Sequence, residues 1–217
     1  MNRTLIAIVS AVALSGTLAA AQAQDEKAPS PDGVASTQVL GKYVKPAGRG
    51  AFALGGANYE GGKWIEILYG RPLKRGRDLW GSGDTYGRAA LVGSPIWRAG
   101  ANITTRLRTE VPLVINGKTI AAGEYTLFID LKENNWTFVV STWPAQIVED
   151  MRNRTALWGS YGYTPDKDVV RAPMKLETLP HVTEELTWEF VDMTDTSGVM
   201  AIRWDKMMAS VPFTVAK

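Results

Sequence analysis

Hydrophobic and polar positions alternate with a period of two along most of the chain after residue 62, the pattern of strands that bury one face because successive side chains point to opposite sides. Residues 64–69, Trp-Ile-Glu-Ile-Leu-Tyr, form the first such run. Between 102 and 109, Ile103, Thr105 and Leu107 alternate with Thr104, Arg106 and Arg108, which gives one dry face and one basic face. Segments 111–115 and 118–120 flank Asn116-Gly117, a dipeptide that tolerates positive φ at both positions of a tight turn, and so predict a hairpin. A second hairpin is expected to join 124–130 to 136–141 across Asn134-Asn135, with Tyr125, Leu127 and Ile129 on one face. Leu186, Trp188 and Phe190, then Met200, Ile202 and Trp204, then Val211, Phe213 and Val215, mark later core strands. Residues 144–154 predict the single helix, since Pro144 suits a first turn and Ile147 with Met151 and a basic end fit a short amphipathic segment.

Runs of strands with so little helix predict an all-β fold, an antiparallel β-sandwich of roughly nine to ten strands with one short helix. An outer-membrane barrel fits less well, because its strands need long uncharged apolar faces, and Glu66, Arg106, Arg108, Glu189 and Arg203 interrupt the runs. Ahead of the strands, Arg3, an apolar stretch over 5–18 and the small-x-small triplet Ala21-Gln22-Ala23 read as a cleavable signal peptide over 1–23. The stretch is interrupted by Ser10, Ser15, Gly16 and Thr17 and is shorter than the roughly 20 apolar residues of a spanning anchor. The expected organisation is therefore a signal peptide over 1–23, a polar, disordered lead-in over 24–33 and a single sandwich domain over 34–217, with a glycine-rich segment at 45–62.

Composition narrows the chemistry. The chain has no cysteine, which removes disulfides, thiol nucleophiles and thiolate metal sites. Its net charge of +2 is too small to imply a polyanionic partner, although residues 69–109 hold eight basic residues against Asp78 and Asp84. With one histidine, His181, a multi-histidine metal site is excluded and a Ser-His-Asp arrangement would hang on a single residue beside Pro180. No metal, no cofactor and no nucleic-acid partner is expected.

Several motifs of the chain resemble a known family. These are Tyr69-Gly70-Arg71-Pro72, Gly76-Arg77-Asp78-Leu79-Trp80-Gly81, Trp97-Arg98-Ala99-Gly100-Ala101-Asn102, Ala122-Gly123-Glu124-Tyr125-Thr126-Leu127-Phe128 and Asp168-Val169-Val170-Arg171. Together they resemble an exported bacterial family catalogued as domain of unknown function 2911, over the chain from about residue 34, with extra residues at 45–62, 83–95 and 143–158. The resemblance implies an exported β domain and supplies no reaction. It also implies a departure, since relatives commonly carry Glu where Ile103 stands here.

The residues best suited to chemistry are Tyr69, Arg71, Arg77, Trp97, Arg98 and Asn102. Pro72 ends the ladder after Tyr69 and leaves Arg71 at a strand mouth. The planar fork of arginine binds carboxylate or phosphate in two-point fashion, and Trp97 beside Arg98 offers a stacking face. Their competing role is structural, with the arginines paired to carboxylates such as Asp78 or Asp168 and Trp97 packed in the core. Of the eight tryptophans, Trp64, Trp136, Trp188 and Trp204 sit in alternating runs and are assigned to the core, while Trp80, Trp97, Trp143 and Trp158 lie in loops and are the possible platforms. No catalytic residue is assigned, because Glu149-Asp150, Asp166 with Asp168, Glu184-Glu185 and Asp192 with Asp195 read as turn and hairpin residues.

These observations lead to an expectation of an uncharacterised exported β-sandwich, periplasmic or extracellular and without a membrane span once the signal is removed. It would hold a small anionic or saccharide ligand without turnover. The alternatives are an envelope hydrolase working through carboxylates and a structural or partner-docking envelope protein.

Overall fold

The computed structural model describes residues 30–44 and 58–216. The expected signal peptide, residues 24–29 of the lead-in and residues 45–57 of the glycine-rich segment lie outside them. The described residues form twelve strands: β1 Asp32–Val39, β2 Lys42–Val44, β3 Asn58–Glu60, β4 Lys63–Gly70, β5 Arg106–Thr109, β6 Leu113–Ile115, β7 Lys118–Ile120, β8 Gly123–Asp130, β9 Thr137–Ser141, β10 Asp168–Pro173, β11 Lys175–Val191 and β12 Ser197–Val215. β1 begins at Asp32, two residues inside the expected lead-in.

A six-stranded sheet in the order β1-β4-β5-β8-β9-β10 faces a four-stranded sheet in the order β11-β12-β6-β7, and β2 and β3 form a small ribbon beside them. Every pairing between these strands is antiparallel. The all-β antiparallel sandwich expected from alternation is therefore the observed architecture. The two sheets meet at one side through Leu73 and the backbone bond from Leu186 N–H to the Pro72 carbonyl at 3.0 Å. At the other side the Asn116 amide donates to the Arg171 carbonyl at 3.2 Å.

The core is what the period of two dictates. Ile65, Ile67 and Tyr69 of β4, Leu127 and Ile129 of β8, and Phe138 and Val140 of β9 point inward. They meet Leu186 and Trp188 of β11 and Met200, Ile202, Trp204, Val211 and Phe213 of β12. At about 1.5–3 kcal/mol per fully buried large apolar side chain, this layer holds the sandwich closed without a cross-link. Both expected hairpins form. Asn116 and Gly117 take φ of 47° and 72° between β6 and β7, and β8 pairs with β9 from Asp130 opposite Thr137 onward.

Three features differ from the sequence expectation. The helix does not form at 144–154, and the one α-helix among the described residues, α1, is Arg88–Leu91. In 144–154 side chains take the backbone groups a helix would use: Gln146 Oε1 accepts the Asp150 N–H at 2.7 Å, and Asn153 Oδ1 accepts those of Thr155 and Ala156 at 2.9 and 3.1 Å. Ile147 and Met151, the supposed apolar face, are exposed. Second, Trp64 is 43% exposed, because the pleat that buries Ile65, Ile67 and Tyr69 turns Trp64 outward. Third, only Arg106–Thr109 of the 102–109 run is strand.

Residues 143–163, instead of a helix, form a flap on the outer face of the six-stranded sheet. Phe128 and Val139 point away from the main core and would face water, but Ile96, Leu157 and Tyr163 cover them in a second apolar cluster with Trp143 at its margin. This explains why β8 and β9 are buried on both faces along most of their length.

Replacing Gly117 by Ala should cost about 1 kcal/mol through its left-handed backbone alone, because the new Cβ would meet nothing within 4 Å. A urea titration should show a lower midpoint with an unchanged slope.

Candidate functional site

The segment Trp97-Arg98-Ala99-Gly100-Ala101-Asn102 is bent into place by backbone contacts before any side chain is considered. Trp97 exchanges two backbone bonds with Ile129 of β8, at 3.0 and 2.9 Å. Ala99 and Asn102 take left-handed φ of 49° and 58°. Its middle lies against the end of β4, where Ala101 N–H donates to the Gly70 carbonyl at 3.2 Å. A Cβ on Gly70 would stand 2.0 Å from the Ala101 oxygen, so position 70 requires glycine for the approach itself. Trp188 of the opposite sheet closes the arrangement by donating its indole N–H to the Ala99 carbonyl at 2.9 Å.

This bend sets down a cleft of about 180 Å³ lined by Pro72, Arg77, α1 residues, Trp97, Arg98, the Gly100 to Asn102 turn and Trp204. Of the six residues singled out from the sequence, Arg77, Trp97, Arg98 and Asn102 line it, while Tyr69 and Arg71 do not. Tyr69 is buried between the sheets, and its hydroxyl accepts the Trp188 backbone N–H at 3.1 Å. Burial pushes its ionisation above the ordinary phenol range, with the Trp188 bond pulling the other way. Arg71 is held by Glu185 of β11 at 2.5 Å, both side chains about a third exposed, so it ties the two sheets together.

The floor of the cleft is aromatic. Trp97 stacks on Trp204 with ring centres 6.1 Å apart and planes at 11°, and Trp80 and Trp136 pack edge-on or tilted around them. Trp97 is therefore a core residue with its margin in the cleft, 1% exposed, and not an open platform. Arg77 lies on the turn before it, where its guanidinium sits 5.5 Å over the Trp204 ring and donates to the carbonyls of Leu73 and Lys74 at 2.6 and 2.9 Å.

Arg98 is the unusual group. It is only 9% exposed, the lowest exposure of any arginine among the described residues. Arg71, Arg106, Arg108, Arg171 and Arg203 each lie within 4 Å of a carboxylate, and Arg98 pairs with none. Its Nη1 donates to the Asn102 carbonyl at 2.9 Å and its guanidinium lies 5.3 Å over the Tyr161 ring. Gly159 makes room for it, since a Cβ there would stand 2.4 Å from Nη1. An ion taken from water costs several kcal/mol unless it is compensated, and one carbonyl with an aromatic face is partial compensation. The Asn102 side chain is spent elsewhere, donating to the Ser30 carbonyl at 3.0 Å and strapping down the entry to β1.

Tyr161 and Gly159 were not legible as site residues, because they reach Arg98 only through the flap. That flap is pinned at its far end by Tyr163, whose hydroxyl donates to Asp168 at 2.6 Å, while Arg171 bridges Asp168 at 2.8 Å and Asp130 at 2.6 Å. Neither carboxylate expected to pair with Arg71, Arg77 or Arg98 does so: Asp168 binds Arg171, and Asp78 caps its own turn at Gly81. Burial, reinforced by the Asp168 carboxylate, raises the Tyr163 hydroxyl well above the usual phenol range.

Among known proteins, residues 56–213 match the model of a family described as Protein of unknown function (DUF2911). No curated protein and no solved structure matches the chain.

A raised folded-state pKa means the stabilisation from Tyr163 is complete below the ordinary phenol pKa of about 10 and is lost as pH rises beyond it. Tyr163→Phe should lower stability at neutral pH by about 1–3 kcal/mol and flatten the loss of stability above pH ~10, measured by denaturant titrations across that range. An unchanged alkaline slope would dissociate Tyr163 from the effect.

Proposed function

The chain belongs to that family of proteins of unknown function, and from this premise we propose that it is exported and holds a small anionic or anionic-saccharide ligand in the Arg98 cleft without turning it over. The observation that supports the reading is the largely buried Arg98 side chain, whose guanidinium has no carboxylate partner among the described residues and lines an open cleft. A carboxylate or phosphate oxygen entering there would complete its donor set with charge-assisted bonds. Arg77 supplies a second cation on the same rim, and the Trp97 and Trp204 margins supply the apolar wall against which a ring can rest. At about 180 Å³ the cleft is below the range of roughly 300–1,000 Å³ typical of drug-sized ligands, which favours a monosaccharide acid, a phosphate ester or a dicarboxylate.

Binding without turnover is favoured by the lining itself. Pro72, Arg77, Ala89, Ala90, Val92, Trp97, Arg98, Gly100, Ala101, Asn102 and Trp204 include no carboxylate and no imidazole. Acid-base hydrolysis needs such a group within hydrogen-bond reach of the scissile atoms. His181 stands on β11, exposed, and is not among these residues. The signal-like residues 1–23 place the protein in the envelope or outside it in this reading.

The test is a thermal-shift series on the chain from residue 24 onward against hexuronic acids, sugar phosphates, inorganic phosphate and dicarboxylates. A ligand present at 100 times its dissociation constant should add roughly 2.7 kcal/mol. Arg98→Gln and the exposed Arg77→Gln should each remove the shift, while Arg71→Gln should leave it. A series in which no anion raises the melting temperature, or in which Arg71→Gln alone abolishes the effect, overturns the reading.

A further inference from the structure

The flap covers only part of the outer face of the six-stranded sheet, over β8 and β9. On the part formed by β4, β5 and the start of β8, a shallow groove of about 380 Å³ is lined by Trp64, Glu66, Arg108, Thr109, Glu110, Gly123 and Glu124. It is a different place from the Arg98 cleft and shares no lining residue with it. Trp64 is 43% exposed there, and every other tryptophan is buried or half-buried.

The groove is ordered by the sheet register. Glu66, Arg108 and Glu124 stand opposite one another on β4, β5 and β8, forming a row that reads acceptor, donor, acceptor. Arg108 is oriented by Glu124 at 2.6 Å, and Glu66 has no hydrogen-bond partner among the described residues. Beside this row Ile65, Thr109 and Gly123 are opposed on the inward phase of the pleat, where Ile65 and Thr109 are buried. Glu110 is fixed next to Trp64 by two bonds, its Oε2 accepting the Trp64 N–H and its own N–H donating to the Trp64 carbonyl, both at 2.9 Å.

We propose that this groove is a binding surface for a neutral saccharide chain, stacked on Trp64 and hydrogen-bonded along the Glu66, Arg108 and Glu110 side chains. An exposed indole with charged neighbours presents one apolar plane ringed by planar donors and acceptors. A pyranose has the complementary form, a C–H face for the ring and adjacent hydroxyls at its rim for two-point bonds to carboxylate and guanidinium. Lipid and apolar protein surfaces are a poor match, because Trp64 is the groove's only large apolar side chain. Three carboxylates against Arg108 and the neighbouring Arg106 disfavour polyanions, so the charge selects neutral or N-acetylated sugars over acidic ones.

The experiment is a calorimetric titration of the chain from residue 24 onward with cellotetraose, with the N-acetylglucosamine tetramer and with a galacturonate tetramer. At least one neutral probe should bind, about tenfold more weakly in Trp64→Ala and with partial recovery in Trp64→Tyr. Glu66→Gln should weaken the same probe, and Arg98→Gln should leave it unchanged. Absence of binding by both neutral probes at millimolar concentration overturns the proposal. So does equal affinity in Trp64→Ala, or preference for the galacturonate tetramer. Trp64 and Glu66 point away from the core, so far-ultraviolet circular dichroism of the variants should match the parent.

Discussion

Four indoles, Trp80, Trp97, Trp136 and Trp204, pack against one another with ring centres 4.7–6.2 Å apart, and the placement of nearly everything else in the site follows from them. Trp204 comes from a central strand of one sheet, Trp136 from the approach to β9 of the other, and Trp80 and Trp97 from the long connection between β4 and β5. Aromatic pairs of this kind add about 0.5–1.5 kcal/mol each beyond the area they bury. A connection without regular strands can hold one shape only if something rigid anchors it. The indoles provide that anchor, and the Trp136 N–H extends it by donating to the Tyr86 hydroxyl at 2.8 Å.

Because Trp97 is fixed, Arg98 has little freedom over where its charge goes. It leaves the aromatic cluster on the far side, passes over Gly159 and ends beneath Tyr161 and beside the Asn102 carbonyl. Several other arginines are paired with carboxylates. Glu124 serves both Arg106 and Arg108, so the basic outer face of β5 is partly offset by β8. Glu189 serves Arg203 across the β11–β12 pairing. These exposed or half-exposed pairs contribute little stability individually. Their significance is the contrast they set: Arg98, the most buried arginine among the described residues, has no carboxylate partner there and lines a cleft.

Alternation read from the sequence located most strands because the sandwich obeys the pleat on its inner face. Ile65, Ile67 and Tyr69, and later Trp188, Ile202 and Trp204, fall where a period of two puts them. Trp64, expected in the core because it lies in an alternating run, is out of phase with Ile65, Ile67 and Tyr69, so the pleat turns it outward. The helix expected at 144–154 failed for a local reason, the competition of Gln146, Asp150 and Asn153 side chains for backbone N–H groups, which periodicity does not register. In the site, Arg77, Trp97, Arg98 and Asn102 come together because Arg77 and Trp97 both lie against the Trp204 ring and the Gly100–Ala101 bend rests on Gly70. Arg71 was drawn away by Glu185, more than a hundred positions later in the chain. Pairings at that separation are set by sheet topology, and no spacing rule reports them.

The flap connects these points. By covering Phe128 and Val139 it converts the outer face of β8 and β9 into a second small core, at the expense of leaving Ile147, Val148 and Met151 in water. Its inner turn delivers Tyr161 to Arg98, and its far end is locked by Tyr163, Asp168 and Arg171. Where it stops, the sheet keeps a polar, open surface on which Trp64 is the sole large aromatic exposed. The fold buries or half-buries seven of its eight indoles and leaves Trp64 on a charged strand face. The flap thus divides one sheet face into a covered half, from which Tyr161 reaches the Arg98 guanidinium, and an uncovered half on which Trp64 stands exposed.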